Sequence, residues 1–168
     1  MPEILDRVEA LIGPNILVWG ANFFLKEPHS SAYVSWHQDG TYWAMEPADI
    51  VTAWIALTPS TVQSGCLRVV PGSHHWPILA HTETFAEGNL LSRGQEMAID
   101  VNLATVRDIP LAPGEMSLHH VKMAHNSEPN RADHRRIGYA IRYVATHVKP
   151  DSIDTAMLVC GTDEYHHF

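Results

Sequence analysis

The fold of this chain is indicated most clearly by one run of alternating residues, Arg136-Ile137-Gly138-Tyr139-Ala140-Ile141-Arg142-Tyr143. Side chains alternate between the two faces of a β-strand, so one face of this run carries two arginines, a glycine and an alanine, and the other carries isoleucines and tyrosines. A face made of arginines and very small residues leaves space inside a barrel and places a fixed cation in it. The run therefore predicts a strand that lines an internal cavity.

The rest of the chain also reads mainly as strands, with turn residues between them and one convincing helix over Pro2–Ile12. We expect eight strands: Asn15–Leu25, Tyr33–Gly40, Ile50–Thr58, Cys66–Val70, Met97–Val101, Met116–His120, Ala124–Asn126 and Arg135–Val144. Short strands at this spacing favour a mainly β fold, either a barrel or a double-sheet jelly roll. Because there is no repeat, low-complexity stretch or evident linker, we expect one domain over residues 1–168. Within it, 75–110 is a long, weakly patterned segment that is either a lid or a surface insertion.

Composition limits the classes of function. The 168 residues hold 11 Lys and Arg against 19 Asp and Glu, a formal charge of −8, which argues against nucleic acid or an anionic membrane as the main partner. No apolar run approaches the roughly 20 residues of a membrane-spanning helix, and the first residues lack a signal-peptide pattern. The two cysteines, Cys66 and Cys160, are far apart and form no zinc or disulfide motif, so we expect a reducing cytoplasm.

The 12 histidines are the compositional oddity, and one of them stands in a recognisable pattern. His37 and Asp39 are two residues apart in a strand-like stretch, so their side chains can converge on one cation. Taken alone, the triplet also fits a structural His–Asp hydrogen bond. Two histidines and a carboxylate on one face of a metal are the ligands of non-haem Fe(II) oxygenases, and His125 is the best placed third ligand.

The remaining histidines and the first arginine leave alternatives open. His119 and His120 are adjacent, so they cannot both face inward from a strand. We expect an exposed or packing role for the others considered: His134, His147, His166 and His167. Arg136 suits bidentate binding of a carboxylate, such as the far end of a dicarboxylic acid, although it could equally pair with an acidic residue at the surface.

These residues, in this order and spacing, resemble the phytanoyl-CoA dioxygenase family of Fe(II)/2-oxoglutarate oxygenases. The motifs that carry the resemblance span most of the chain, from Gly13 to His147: Trp36-His37-Gln38-Asp39, Ala53-Trp54-Ile55-Ala56-Leu57, Ser64-Gly65-Cys66-Leu67, Val70-Pro71-Gly72-Ser73-His74, His125, Ser127 and Arg136. The resemblance implies a double-stranded β-helix, a jelly-roll relative of the cupins. It also implies Fe(II) bound by His37, Asp39 and His125, with O2 and 2-oxoglutarate as cosubstrates.

The resemblance assigns further roles around the iron. Arg136, helped by the Ser127 hydroxyl, would hold the distal carboxylate of 2-oxoglutarate. Asn22 and Trp54 fall at positions that line the cofactor pocket in relatives, although Trp54 could be plain core. Tyr42 and Trp43 are candidate walls of the substrate pocket or simple packing residues.

The implied reaction is hydroxylation of an unactivated C–H bond in a small organic molecule, with 2-oxoglutarate converted to succinate and CO2. The carboxylate of Asp39 favours hydroxylation over halogenation, because halogenating relatives carry a small residue there. Two alternatives stay open: an inert relative that binds metal and 2-oxoglutarate without turnover, and a cupin-type metalloenzyme of another class. We expect the chain to be trimmed at both ends relative to the family. The sequence specifies neither the substrate, including whether it is a CoA thioester, nor the oligomeric state.

Overall fold

The computed structural model describes residues 1–43, 45–151 and 155–168. It begins with helix α1, Pro2–Ile12, which is the predicted helix. Thirteen strands follow in these described residues: β1 (Ile16–Lys26), β2 (Val34–His37), β3 (Met45–Glu46), β4 (Ile50–Ala56), β5 (Leu67–Val69), β6 (His81–Glu83), β7 (Gln95–Met97), β8 (Arg107–Ile109), β9 (Met116–His120), β10 (His125–Ser127), β11 (Arg136–Ala145), β12 (Lys149–Pro150) and β13 (Met157–Cys160). Short 3₁₀ turns lie at Asp39–Thr41, Ser73–His75 and Leu103–Thr105.

Two antiparallel sheets form the body of the fold. The larger has the strand order β13-β1-β11-β4-β9, and the smaller has the order β2-β10-β5-β8. Neighbouring strands in each sheet are mostly distant in sequence, as in a jelly roll, where the chain passes repeatedly between two sheets. The expectation of a mainly β jelly-roll fold with a short N-terminal helix is confirmed. No helix within the described ranges is long and apolar enough to cross a membrane.

The alternation of β11 is confirmed, and it shows how the larger sheet separates a cavity from a helix-covered core. Arg136, Gly138 and Ala140 are buried on the inner face. On the outer face, Tyr143 is buried because Val8 and the rest of the apolar side of α1 pack there. The pairing of β11 with β1 and β4 runs along almost its whole length, so its inward side chains are held on a rigid support.

Glycine at position 138 is required by a close approach across the larger sheet. An added Cβ at Gly138 would overlap the ring of Trp54. Position 138 therefore has no side chain because the Trp54 indole from the neighbouring strand occupies the space above it.

The predicted strand Met97–Val101 is wrong beyond its first residue. Its alternating apolar residues resemble a strand, but the observed strand is β7, Gln95–Met97, which pairs with β6. Beyond Met97 the partner strand has ended, and Ile99 is 46% exposed. The segment 75–110 thus holds β6, β7 and β8. The pattern predicted neither β6 nor β8 and met β7 only at Met97, because strands of three residues are too short to show a period.

Candidate active site

A cavity of about 370 Å³ opens between the two sheets. Both sheets contribute to its wall, and so do the loop after β2 and the segment Leu90–Ser92. All nine of the site residues expected from the sequence line this cavity: Asn22, His37, Asp39, Tyr42, Trp43, Trp54, His125, Ser127 and Arg136. Their placement together is an observation, whereas the role of each one stays a prediction.

Two histidines and an aspartate meet at the smaller sheet. His37 ends β2 and lies opposite His125 at the start of β10, so the two imidazole rings face each other with centroids 4.1 Å apart. Asp39 follows in the 3₁₀ turn, and its Oδ1 lies 3.4 Å from His37 Nε2 and 3.9 Å from His125 Nε2. One donor atom from each of the three residues falls within 4.8 Å of the other two. Pairing between β2 and β10 therefore brings together residues that are 88 positions apart.

Backbone carbonyls fix the tautomer of both imidazoles. His37 Nδ1 donates to the carbonyl of Ser35 at 2.9 Å, and His125 Nδ1 donates to the carbonyl of Met123 at 2.8 Å. The Nε2 atoms of both rings then lie on the side of Asp39, where they are the ring atoms left to bind a metal. Hydrogen bonds of this kind orient metal-ligating histidines in proteins. Burial, followed by the nearby charge of His37, lowers the pKa of His125 well below its usual value, so this ring is neutral, the form that binds metals.

The Asp39 carboxylate is held in its charged form. Burial alone would raise its pKa, but hydrogen bonding to His119 and His37 outweighs burial and keeps the pKa well below its usual range. On the side of the other oxygen, Thr52 Oγ1 donates to Oδ2 at 3.3 Å, and His119 Nε2 lies 3.7 Å from it. Oδ1 therefore faces the two histidines, while Oδ2 is oriented by neighbours. His119 is thus the inward member of the His119–His120 pair.

Arg136 extends into the same cavity from β11. It is only 2% exposed, and its guanidinium carbon lies 5.2 Å from the centroid of the Trp54 ring. Burial lowers the pKa of Arg136 to about 10, so it remains a cation at neutral pH. Its Nε and Nη2 are buried and have no hydrogen-bond partner among the described residues. Because buried polar groups are usually paired, these two donors indicate a site for an anion.

A lysine that the sequence did not single out lies next to Arg136. Lys26 ends β1 opposite Arg136 and is fully buried. Its Nζ donates to Ser127 Oγ at 2.7 Å, to the Ser127 carbonyl at 3.1 Å and to the Glu128 carbonyl. Burial, and next the charge of Arg136, lower the pKa of Lys26 to about 6. The Ser127 hydroxyl that was expected to help hold 2-oxoglutarate is therefore already oriented by a lysine.

A second arginine lines the cavity six residues further along β11. Arg142 Nη1 donates to Asn22 Oδ1, and its guanidinium carbon lies 5.5 Å from the Trp19 ring centroid and 5.2 Å from that of Trp43. Tyr42 lies nearby in the wall, and burial, with the charge of Asp39, raises its pKa to about 12. Asn22 and Trp43 thus contact Arg142, whereas the aromatic contact of Arg136 is with Trp54.

The donor set fits a divalent transition metal together with a dicarboxylate. Two imidazoles and one carboxylate supply three ligands and leave the other positions of an octahedral metal open. The unpaired donors of Arg136 suit the far carboxylate of a ligand that chelates the metal. His134 lies elsewhere, where its Nε2 donates to the Pro59 carbonyl at 3.0 Å. Among the described residues, His37, Asp39 and His125 form the sole cluster with metal-binding geometry.

Sequence reasoning missed His119 and Lys26. The alternation of β9 shows that one of its two histidines faces inward but not which one, because that depends on the register with β4, where His119 pairs with Thr52. A lysine at the end of an apolar strand usually reaches solvent, so no sequence signal marks Lys26 as buried.

Comparison with known proteins agrees with this geometry. The family model described as "Phytanoyl-CoA dioxygenase (PhyH)" matches residues 1–138, more than half of the chain. The chain belongs to the phytanoyl-CoA dioxygenase family. The resemblance inferred from the sequence motifs is therefore confirmed.

Individual relatives show how far the likeness extends. The chain is 30% identical over 162 residues to a "Probable alpha-ketoglutarate-dependent hypophosphite dioxygenase" of Stutzerimonas stutzeri, covering 95% of this chain and 54% of that protein. Among solved structures, the non-heme monooxygenase ThoJ in its apo form is 38% identical with a TM-score of 0.85, over 96% of this chain and 59% of ThoJ. EvdO2 from Micromonospora carbonacea var. aurantiaca, complexed with 2-oxoglutarate, is 28% identical with a TM-score of 0.63, over 87% and 56%. The chain spans about half the length of the curated relatives it matches.

Proposed function

We propose that this chain forms the catalytic domain of an Fe(II)/2-oxoglutarate-dependent dioxygenase that hydroxylates an unactivated C–H bond of a small organic substrate. The observation that carries the proposal is one cavity that holds both the two-histidine, one-carboxylate cluster and a buried arginine with unpaired donors. A structural His–Asp pair would not require that arginine. A cupin-type enzyme without a dicarboxylate cosubstrate would not require it either.

In this proposal, His37, Asp39 and His125 hold Fe(II) on one face and leave its other positions open. Arg136 binds the distal carboxylate of 2-oxoglutarate, and Lys26 orients the Ser127 hydroxyl beside it. When bound, iron and 2-oxoglutarate supply the oxidant, and the overall reaction converts R–H, O2 and 2-oxoglutarate to R–OH, CO2 and succinate. Trp54 contributes by packing against the Arg136 guanidinium, which holds that cation in place.

The walls of the cavity position the substrate and limit water. Tyr42 and Trp43 come directly after the 3₁₀ turn that carries Asp39, so a substrate lying against them is close to the metal ligands. Leu90 and Leu91 reach the cavity from the segment 75–110, which is where we propose that substrate specificity is set. The family name does not require a CoA thioester here.

The proposal is tested by measuring succinate from 2-oxoglutarate in the presence of Fe(II), ascorbate and O2. We expect slow succinate formation without substrate, and Arg136→Ala should abolish it while the chain still binds iron. Succinate formation that is unchanged in Arg136→Ala would contradict the assignment of the cosubstrate site. A folded chain that binds iron but produces no succinate in any substrate screen would instead support an inert binding relative.

A further inference from the structure

The second cavity arginine, Arg142, is a charge without a counter-ion. None of the ion pairs among the described residues includes it. Its nearest negative charge is Asp39, which acts on it through space, while burial lowers its pKa. In the proposed enzyme the negative charge of Asp39 is neutralised by the metal ion that it binds. Arg142 therefore remains a mostly buried cation whose neutralising partner is not part of the described chain.

The groups around Arg142 hold it in place but do not neutralise it. Asn22 is neutral and occupies Nη1. Trp19 and Trp43 flank the guanidinium and contact each other edge to face, with centroids 4.5 Å apart. Cation–π contacts stabilise an arginine but leave its in-plane N–H groups free. Nε is buried and unpartnered within the described residues, so the edge formed by Nε and Nη2 is available to a ligand.

The position of Arg142 separates it from the 2-oxoglutarate region. Six residues along a strand correspond to about 20 Å between the Cα atoms of Arg136 and Arg142. On the neighbouring strand β4, Trp54 pairs with Ala140, between the two arginines, whereas Thr52 pairs with Arg142 itself and donates to Asp39. The ligand Asp39 is thus linked through Thr52 to the level of Arg142 on the larger sheet. A ligand bound to Arg142 has the metal within its reach.

We propose that Arg142 binds an oxyanion group of the substrate, a carboxylate or a phosphonate, through the Nε–Nη2 edge, so that the reacting carbon lies beside the metal. This inference rests on the proposed function, since it assigns the substrate class to the same cavity. Arginine binds planar oxyanions through two parallel hydrogen bonds, and a low-dielectric wall strengthens both. The apolar part of the substrate would lie against Trp43. Asn22 positions the guanidinium.

The test is a calorimetric titration of four probes that differ in their charged group: pentanoate, butylphosphonate, pentanamide and pentan-1-amine. Zn(II) replaces Fe(II), and 2-oxoglutarate is added at a saturating concentration so that it occupies the metal and Arg136. The probes can then bind only in the remaining part of the cavity, beside Arg142. We expect the better of the two anions to bind about ten-fold more tightly than pentanamide, and the amine not to bind. The comparison of the two anions identifies the preferred oxyanion.

Variants assign that preference to one residue. Arg142→Gln should reduce the anion-to-amide ratio to within about two-fold, and Arg142→Lys should retain part of it, because an ammonium keeps the charge but not the paired bonds. Arg135→Gln is the matched control, since Arg135 is exposed and pairs with Glu27. A ratio that survives in Arg142→Gln would overturn the proposal. If Arg142→Gln does not fold, amide binding as tight as that of the anions in the unmodified chain would overturn it equally.

A second titration with Zn(II) alone separates this inference from the proposed function. With Zn(II) alone the anions can also bind the metal and Arg136, so the relevant part of the preference is the part that is lost in Arg142→Gln. If 2-oxoglutarate abolishes that Arg142-dependent preference, the cosubstrate itself occupies Arg142, and the inference is wrong while the dioxygenase proposal stands. If the chain forms no succinate but still prefers anions at Arg142, the dioxygenase proposal fails and the anion site stands.

Discussion

Replacement of Arg136 by methionine is expected to stabilise the unliganded chain while it weakens cosubstrate binding. Arg136 carries a positive charge in the interior, and burial lowers its pKa from 12.5 to about 10. Because both the folded and the unfolded chain are protonated at pH 7, this difference corresponds to about 3 kcal/mol by which the buried charge opposes folding. The lost contact with Trp54 offsets about 1–2 kcal/mol of the gain. We therefore expect Arg136→Met to be more stable by about 1–2 kcal/mol.

The same substitution should weaken 2-oxoglutarate binding. In the proposed complex the guanidinium makes two charge-assisted hydrogen bonds to the distal carboxylate, and methionine makes neither. A loss of about 3 kcal/mol corresponds to roughly a 150-fold increase in the dissociation constant. The opposite signs of the two effects separate a ligand-binding cation from an arginine that is part of the packing.

Denaturant unfolding of the metal-free chain and calorimetric titration of 2-oxoglutarate in the presence of Zn(II) measure the two effects. Arg135→Met is the matched control, because this neighbouring arginine is exposed and pairs with Glu27. We expect it to change neither the unfolding midpoint nor the affinity. The reasoning would be refuted if Arg136→Met destabilised the chain, or if it bound 2-oxoglutarate as tightly as the unmodified protein.

Further substitutions test the metal ligands, the buried lysine and the glycine of β11. Asp39→Ala should reduce metal retention sharply, as measured by metal analysis after gel filtration, whereas His134→Ala should not; equal loss in both would mean that the ligands are misassigned. Above about pH 6, Lys26 is deprotonated in the folded chain but still protonated in the unfolded chain, so unfolding takes up a proton. The free energy of unfolding should therefore rise by about 1.4 kcal/mol per pH unit between about pH 6.5 and 8.5. Denaturant unfolding should show this slope reduced in Lys26→Met, and equal slopes would contradict it. Gly138→Val should push the Trp54 ring into the cavity, lowering stability by about 1–3 kcal/mol and weakening 2-oxoglutarate binding in calorimetry; unchanged values of both would contradict the close approach.

The parts of the fold that the sequence predicted are the elements long enough to show several repeats of an apolar pattern. Helix α1 was predicted with its observed ends, and β11 was predicted to within one residue at each end, because 11 and 10 residues are enough to show an apolar pattern. The strands β3, β6, β8 and β12 have two or three residues each, and their pairing depends on partners far away in the chain. The strand predicted beyond Met97 was wrong for the same reason. Its apolar residues alternate, but no partner strand among the described residues lies beside it to form backbone hydrogen bonds.

The structure brings the candidate site residues together in one cavity, while the role of each one stays a prediction. His37, Asp39 and His125 can be selected because few residue types bind metals, and Arg136 because few bind a buried anion. His119 and Arg142 could not be assigned roles, since both depend on which residues of β4 lie opposite them. The family resemblance assigned Asn22 to the cofactor pocket, but its hydrogen bond with Arg142 could not be predicted from the sequence.

The central claim is that one buried cluster binds Fe(II) and, through it and Arg136, 2-oxoglutarate. Anaerobic titration calorimetry of Fe(II), followed by 2-oxoglutarate, tests this most directly in the unmodified chain and in Asp39→Ala. We predict a single Fe(II) per chain, 2-oxoglutarate binding that is much tighter with the metal than without it, and loss of both in Asp39→Ala. Stoichiometric Fe(II) binding by Asp39→Ala, or an affinity for 2-oxoglutarate that does not depend on the metal, would contradict the account.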